Sequence, residues 1–218
     1  MEKSDHIITN FKIQQPKISS ELTTEIFQAK VEAYYHRCVF QDCFITGEDV
    51  EGIAFEEVLF KNVIFEDVTF QKIELMDVIF DHCDLSNVDF SLGSIHRVVF
   101  KDSKMLGINL TEASLGNVVF DACLANLSSF GFAKLKQVKF EGCSLNNADF
   151  YDCEFLKVGF NQCELSEASF VNTSLKGIDL TTCMFSQLQV SLENVTGCVI
   201  TADQAVGFAQ LLGLEIKE

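Results

Sequence analysis

No apolar run in this chain approaches the roughly 18 residues a membrane-crossing helix needs, which argues against a transmembrane segment. Positive charge is scarce, with 16 Lys and Arg against 32 Asp and Glu and a formal net charge of -16. Direct nucleic-acid binding is therefore not expected, because nothing clusters to neutralise phosphates. Met1-Glu2-Lys3-Ser4-Asp5-His6 lacks the charged-then-apolar plan of a secretory signal, and a cytoplasmic location is expected. Also missing are GxSxG, a P-loop, HExxH and a glycine-rich dinucleotide fingerprint. There is no CxxC pair, and of the four histidines only His82 adjoins a cysteine, so zinc-ligand spacing is absent. Paired carboxylates such as Glu56-Glu57 and Glu66-Asp67 read as solvated. Neither an enzyme nor a cofactor or metal is expected.

What the chain does have is a five-residue lattice. Between Phe55 and Phe185 every fifth position is apolar: 15 Phe, 9 Leu, Ile95, Met105 and Ala125. Two places before each lies a small or β-branched residue, as in Ile53, Val58, Val63, Val68, Ile73, Val78, Cys83 and Val88. Two inward positions in five fit neither the helical period of 3.6 nor the strand period of 2. A fixed short repeat of this kind means a solenoid. Charge tests the register independently, since an unpaired charge is costly in a stacked apolar core. Between Val50 and Val190 there are 20 Asp or Glu and 10 Lys or Arg, and none falls on either inward series.

The slot before the large residue often holds Asp or Asn, as at Asp84, Asp89, Asn109 and Asp149. Blocks such as Cys83-Asp84-Leu85-Ser86-Asn87 and Ala148-Asp149-Phe150-Tyr151-Asp152 resemble the A(D/N)LXX blocks of the pentapeptide-repeat family, over about three quarters of the chain. The resemblance implies an all-β solenoid, a right-handed quadrilateral β-helix with four blocks, hence 20 residues, per coil. On that geometry residues 38–200 make about eight coils, roughly 40 Å long. Gly93 and Ser103, in the small inward series, read as close-packing positions.

All nine cysteines, Cys38, Cys43, Cys83, Cys123, Cys143, Cys153, Cys163, Cys183 and Cys198, occupy the small inward series. A buried cysteine behaves as a small hydrophobe, so these read as packing residues in a reducing compartment. Function must then come from the surface. Sorted by position within a 20-residue coil, one group of columns holds Asp49, Glu51, Glu66, Asp67, Asp89, Glu112, Asp149, Asp152 and Glu167 against a single base, Lys72. From Cys38 to Ile200 the 24 acids and 10 bases leave about one net charge per 2.8 Å of axis, within a factor of two of duplex DNA. A basic, DNA-binding protein surface is the matching partner.

Three segments are expected: an N-terminal capping segment (1–37), the repeat β-helix (38–200) and a C-terminal dimerisation helix with a short strand (201–218). His6 to Ile18 alternates like a strand or hairpin interrupted at Pro16, and Glu21 to His36 reads as a short helix. An apolar stripe of Leu59, Ile79, Val99 and Val119, opposite the acidic columns, offers the N-terminal segment a landing site. Thr201-Ala202-Asp203-Gln204 reads as a capping box opening a helix with Ala205, Phe208, Ala209 and Leu212 on one face, which Gly213 ends and Leu214-Glu215-Ile216 follows as a strand. That face is expected to form a homodimer interface; the alternative is a helix folded over its own last coil.

The tail Gln210-Leu211-Leu212-Gly213-Leu214-Glu215-Ile216, with the acidic rod, is similar to the Qnr subgroup and the related mycobacterial fluoroquinolone-resistance protein. That resemblance implies a dimer that binds DNA gyrase and topoisomerase IV by DNA mimicry and reduces quinolone susceptibility. The lattice departs from Gram-negative Qnr proteins in admitting no projecting loop between Phe40 and Ile200. The alternative reading is a general pentapeptide-repeat scaffold with another partner.

Overall fold

The computed structural model describes residues 11–28 and 33–209, Ala209 without its side chain. In chain order the elements are β1 (Thr23–Thr24), β2 (Tyr34–Gln41), β3 (Phe44–Thr46), β4 (Ala54–Lys61), β5 (Ile64–Glu66), β6 (Glu74–Asp81), β7 (Ser94–Lys101), β8 (Ser114–Asp121), β9 (Lys134–Glu141), β10 (Glu154–Asn161) and α1 (Ala202–Ala209). One parallel sheet runs β1-β2-β4-β6-β7-β8-β9-β10, and β3 pairs with β5 in a second. In the main ladder each residue faces its counterpart one coil on: Phe40 on Phe60, Phe60 on Phe80, Phe80 on Phe100. The other sides are held by isolated parallel bridges in the same register, such as Asp49 to Thr69 and Asp84 to Lys104. The described residues form a β-solenoid followed by one short helix.

The corners come from the backbone. From Arg37 to Gly177 every fifth residue has a positive φ, between 47° and 80°. Each such left-handed residue turns the chain from one side to the next, so inward residues flank a corner in every block. Only glycine adopts this region freely, with Asn and Asp next. Asn62, Asp67, Asn87, Gly107 and Asn147 suit it; Glu57, Lys72 and Phe132 do not.

Rings fill the interior at the strand spacing. Phe60, Phe80, Phe100, Phe120, Phe140 and Phe160 stack with centroids 4.7 to 4.9 Å apart and planes within 5°. The backbone repeat sets that separation, and the ladder turns apolar burial into a continuous column. Gly93 is small because a Cβ there would lie 2.8 Å from Phe90 O. Ser103 Oγ is buried usefully, accepting from Cys83 N at 3.0 Å and donating to Lys101 O at 2.8 Å. The thiols do likewise: Cys123, Cys143 and Cys163 donate to Phe100, Phe120 and Phe140 carbonyls at 3.4, 3.3 and 3.4 Å. All nine cysteines are free, seven of them buried and Cys43 and Cys198 half-buried.

The coil count is slightly lower than the eight expected. The strands from β2 to β10 define about six turns; beyond Asn161 the register continues in bridges such as Asp179 to Val199 without a further strand. Among the described residues the left-handed corner is not found at Thr182, Gln187 or Leu192. Pairing there slips by one residue, running from Glu167 N to Gln187 O and from Gly177 N to Gly197 O, where Asn147 N meets Ser166 O higher up.

The described segments on either side of the repeat are both tied to the rod. Residues 11–22 form an extended strap. Gln137 Nε2 donates to Lys12 O at 2.9 Å, Gln14 N to Asn117 Oδ1 at 3.0 Å, and Lys17 N to Asp77 Oδ1 at 2.9 Å. The strap thus descends two coils between Gln14 and Lys17, about 10 Å, which three extended residues cover. Phe11 lies under Lys139 Nζ, 5.3 Å from its ring centroid. The helix expected over Glu21 to His36 is not present in its described part. Thr23 and Thr24 pair with Cys38 and Val39 as β1, and Tyr34 and Tyr35 stack on Ala54 and Phe55 as the start of β2. Ladder pairing outweighs the local helical pattern there. Nor is residues 11–18 a strand or hairpin: this backbone spends its hydrogen bonds on side chains of the rod.

At the other end the capping box forms reciprocally, Thr201 N to Gln204 Oε1 at 2.9 Å and Gln204 N to Thr201 Oγ1 at 3.2 Å. Gln204 Nε2 also donates to Leu180 O and Cys183 O, both at 2.8 Å, which fastens α1 to the last coils. Phe208 packs edge-on against Phe185 at 5.8 Å, while Ala205 is exposed. The Ala209 side chain, Leu212, Gly213 and the strand expected at Leu214–Ile216 lie outside the described residues, as do Met1 to Asn10.

Candidate protein-docking face

One side of the solenoid lies between the corner column Gly47, Asp67, Asn87, Gly107, Leu127, Asn147, Glu167 and the column Gly52, Lys72, Leu92, Glu112, Phe132, Asp152, Asn172. Along its centre runs an unbroken line of parallel bridges, Asp49-Thr69-Asp89-Asn109-Ser129-Asp149-Ser169-Gln189. Of the nine acids singled out above, Asp49, Asp89 and Asp149 stand in that line, Asp67 and Glu167 on one corner, and Glu112 and Asp152 on the other. Glu51 stands one residue before the corner at Gly52, and Glu66, in β5, one residue before Asp67. Six of the nine are exposed; Asp89, Asp149 and Glu167 are half-buried.

The side's chemistry is that of fixed carboxylates on a rigid sheet. Asp89 is held by three donors: Ser91 N at 2.8 Å, Asn109 Nδ2 at 3.0 Å and Gln71 Nε2 at 3.1 Å. Asp149 Oδ1 accepts from Tyr151 N at 3.1 Å. Lys72, the one base of the group, is paired with Glu51. Most of the acids therefore face solvent without an ion pair to another described residue, at a spacing set by the roughly 4.8 Å rise per coil.

Three features are not visible from residue counting. The first is that Leu92, Leu127 and Phe132 occupy corners of this side and are 45%, 64% and 51% exposed. The second is Asp77, which one would count as surface charge but which is 5% exposed beneath the strap and paired with Arg97. The third is a group on another corner. Asp81, His82 and Asp102 bring ligand atoms within 4.8 Å of one another, with His82 Nδ1 2.7 Å from Asp81 Oδ1 and Lys101 Nζ 3.9 Å from Asp102 Oδ2. These side chains are exposed or half-exposed and share charges among themselves.

With this geometry in place the wider comparison is direct. The sequence model of the pentapeptide repeat region matches residues 73–150 and 133–202, and the chain belongs to the pentapeptide-repeat family. It is 51% identical over 206 residues to the uncharacterized protein YisX of Bacillus subtilis, spanning 94% of this chain and 97% of that protein. Among solved structures it is similar to full-length QnrB1, a plasmid-mediated fluoroquinolone resistance protein, at 17% identity and a TM-score of 0.37, covering 81% of this chain and 100% of that one. It is also similar to HetL, a pentapeptide repeat protein involved in heterocyst differentiation regulation from the cyanobacterium Nostoc, at 16% identity and a TM-score of 0.33, covering 78% of this chain and 84% of that one. Among the described residues no helix is long and apolar enough to cross a membrane.

Proposed function

We propose that this chain is a non-enzymatic, cytoplasmic protein that binds DNA gyrase and topoisomerase IV through its acidic side, imitating DNA, and so reduces quinolone susceptibility. The observation that carries the reading is the side itself: Asp49, Asp89 and Asp149 in one bridged line between corners bearing Asp67, Glu167, Glu112 and Asp152. Carboxylates set at whole-coil intervals on a rigid rod complement a surface built to hold phosphates, and they speed encounter with such a surface. No bound nucleic acid is part of the reading. The protein acts as a homodimer whose contact involves the C-terminal segment from Ala205 through Ala209 to Leu212, while Phe208 of that segment packs on Phe185 of its own chain. Supercoiling by purified gyrase, with and without ciprofloxacin, tests the proposal. Rescue or inhibition that depends on the concentration of this chain is expected, and the absence of both at every concentration would refute it.

A second reading, a scaffold for another protein partner, is favoured by the uninterrupted corners from Arg37 to Gly177, which leave no loop projecting from the coils. The same assay separates the two.

A further inference from the structure

From Arg37 to Gly177 every corner of the rod is left-handed, but which residue stands there is free. Leu92, Leu127 and Phe132 are the large apolar residues among the left-handed corners, at φ of 60°, 61° and 61°. This is a poor place for them on two counts. Bulky side chains disfavour a positive φ, and each is about half or more exposed to water. They are also not scattered: all three stand on the two corner columns that bound the acidic side, and none on the columns through Asp42 and Asn62 or through Arg37 and Glu57. On those same two columns the rod elsewhere uses Asn87, Asn147 and Asn172, which satisfy both backbone and solvent.

From this placement we infer that Leu92, Leu127 and Phe132 are the apolar anchors of the docking face, and that the partner's surface is a basic rim around an apolar pocket, a protein surface rather than a nucleic acid. The inference rests on the gyrase reading and adds which residues hold the partner. Charge complementarity selects the occupant. Glu112 and Asp152 lie one coil to either side of Phe132 on its own corner, as the bonds Glu112 N to Gly131 O, Phe132 N to Tyr151 O and Asp152 N to Val171 O show. Phe132 is braced edge-on by Tyr151 at 5.3 Å, which sits between the corner and Asp149 and receives Asn172 Nδ2 at 3.1 Å. A few aromatic and aliphatic anchors inside a charged rim is the arrangement in which a protein interface concentrates its affinity, with the acids steering approach. Strained backbone under exposed apolar groups is the kind of local cost that persists where a site uses it.

The full chain, Leu127→Asn, Phe132→Asn and the combined Asp89→Asn, Glu112→Asn, Asp149→Asn, Asp152→Asn variant are compared for melting temperature, sedimentation and binding to the gyrase heterotetramer. The two corner variants are expected to melt within about 3 °C of the parent and to bind gyrase about tenfold more weakly each. A loss of more than about 6 °C would make these side chains structural and overturn the inference. Unchanged gyrase affinity in both, with the four-acid variant weakened, would overturn the inference and leave the gyrase reading standing. A corner substitution that dissociates a dimer while gyrase binding is unchanged would give these anchors to a second copy of the chain, again overturning it. Absence of gyrase binding by the parent would refute the reading and this inference together.

Discussion

Arg97 reaches back one coil to hold Asp77 with two prongs, Nε to Oδ1 and Nη2 to Oδ2, each at 2.6 Å. The same carboxylate takes the Lys17 amide at 2.9 Å, so one buried charge joins two coils and the N-terminal strap. Burial alone would raise the Asp77 carboxyl; the bonds from Arg97 and Lys17 outweigh it and hold the group below the ordinary carboxylate range. A depressed folded pKa contributes stability that is present above the unfolded value of about 3.9 and is lost as pH falls through the folded one. Asp77→Asn should lower unfolding free energy by about 1–3 kcal/mol at pH 7, since it leaves the half-buried Arg97 without its counter-charge. The gap to the parent should narrow below about pH 4. Urea titrations at pH 7 and pH 3 check this; an equal gap at both would show that the pair does not carry the difference.

Leu59, Ile79, Val99 and Val119 are half-buried along the rod, and the strap is anchored beside that stripe at Asp77, Asn117 and Gln137; we expect it to shield the stripe. Removing residues 1–20 should raise hydrophobic-dye fluorescence of the folded rod and lower its melting temperature. Dye binding no higher than in the full chain would mean that these residues shield nothing.

Ser128 fills a small inward position with 0% exposure, and its hydroxyl is the buried side-chain oxygen without a hydrogen-bond partner among the described residues. An unsatisfied buried hydroxyl costs about 1–3 kcal/mol, and the same column carries Ala148 and Ala168 without loss of packing. Ser128→Ala should therefore stabilise the chain by about 1 kcal/mol, read as a higher urea midpoint at unchanged slope. A lower midpoint would count against it.

Burial pushes the Cys83 and Cys153 thiols up to about 12; for Cys143 and Cys163, bonding to the neighbouring cysteine comes first and burial adds to it, again to about 12. The thiolate is the reactive form. Burial raises the Cys43 thiol and pushes that of Cys198 up to about 11, so maleimide at pH 8 should label the native chain first at Cys43, slowly at Cys198, and reach all nine only in denaturant. Rapid native labelling of Cys123 or Cys143, located by mass spectrometry, would contradict the packing described.

The inward lattice was legible because each core contact repeats at a fixed offset: Phe60, Phe80 and Phe100 announce their stacking by spacing alone, and so do the cysteines. The acidic side followed once the coil length was taken as 20 residues. The corners were not legible, since Glu57, Lys72 and Phe132 carry no left-handed signature and adopt it because the ladders on either side leave no other path. The strap was invisible in detail for another reason: Gln137 and Lys12 stand 125 residues apart, and nothing local foretells their bond. Over Glu21 to His36 the local pattern pointed to a helix, and pairing of Tyr34 and Tyr35 with the next coil prevailed.

The in-register bridges, Asp49 to Thr69 to Asp89 and onward, have a consequence for how such a molecule can change size. Every side is a line of residues locked one above another. Duplication of a whole coil would lengthen the molecule by about 4.8 Å without turning any side relative to the rest. Gain or loss of a single residue would turn inward side chains outward from that point on. Length in this architecture is thus quantised, and a face matched to a partner of given span can be extended or shortened only in whole steps.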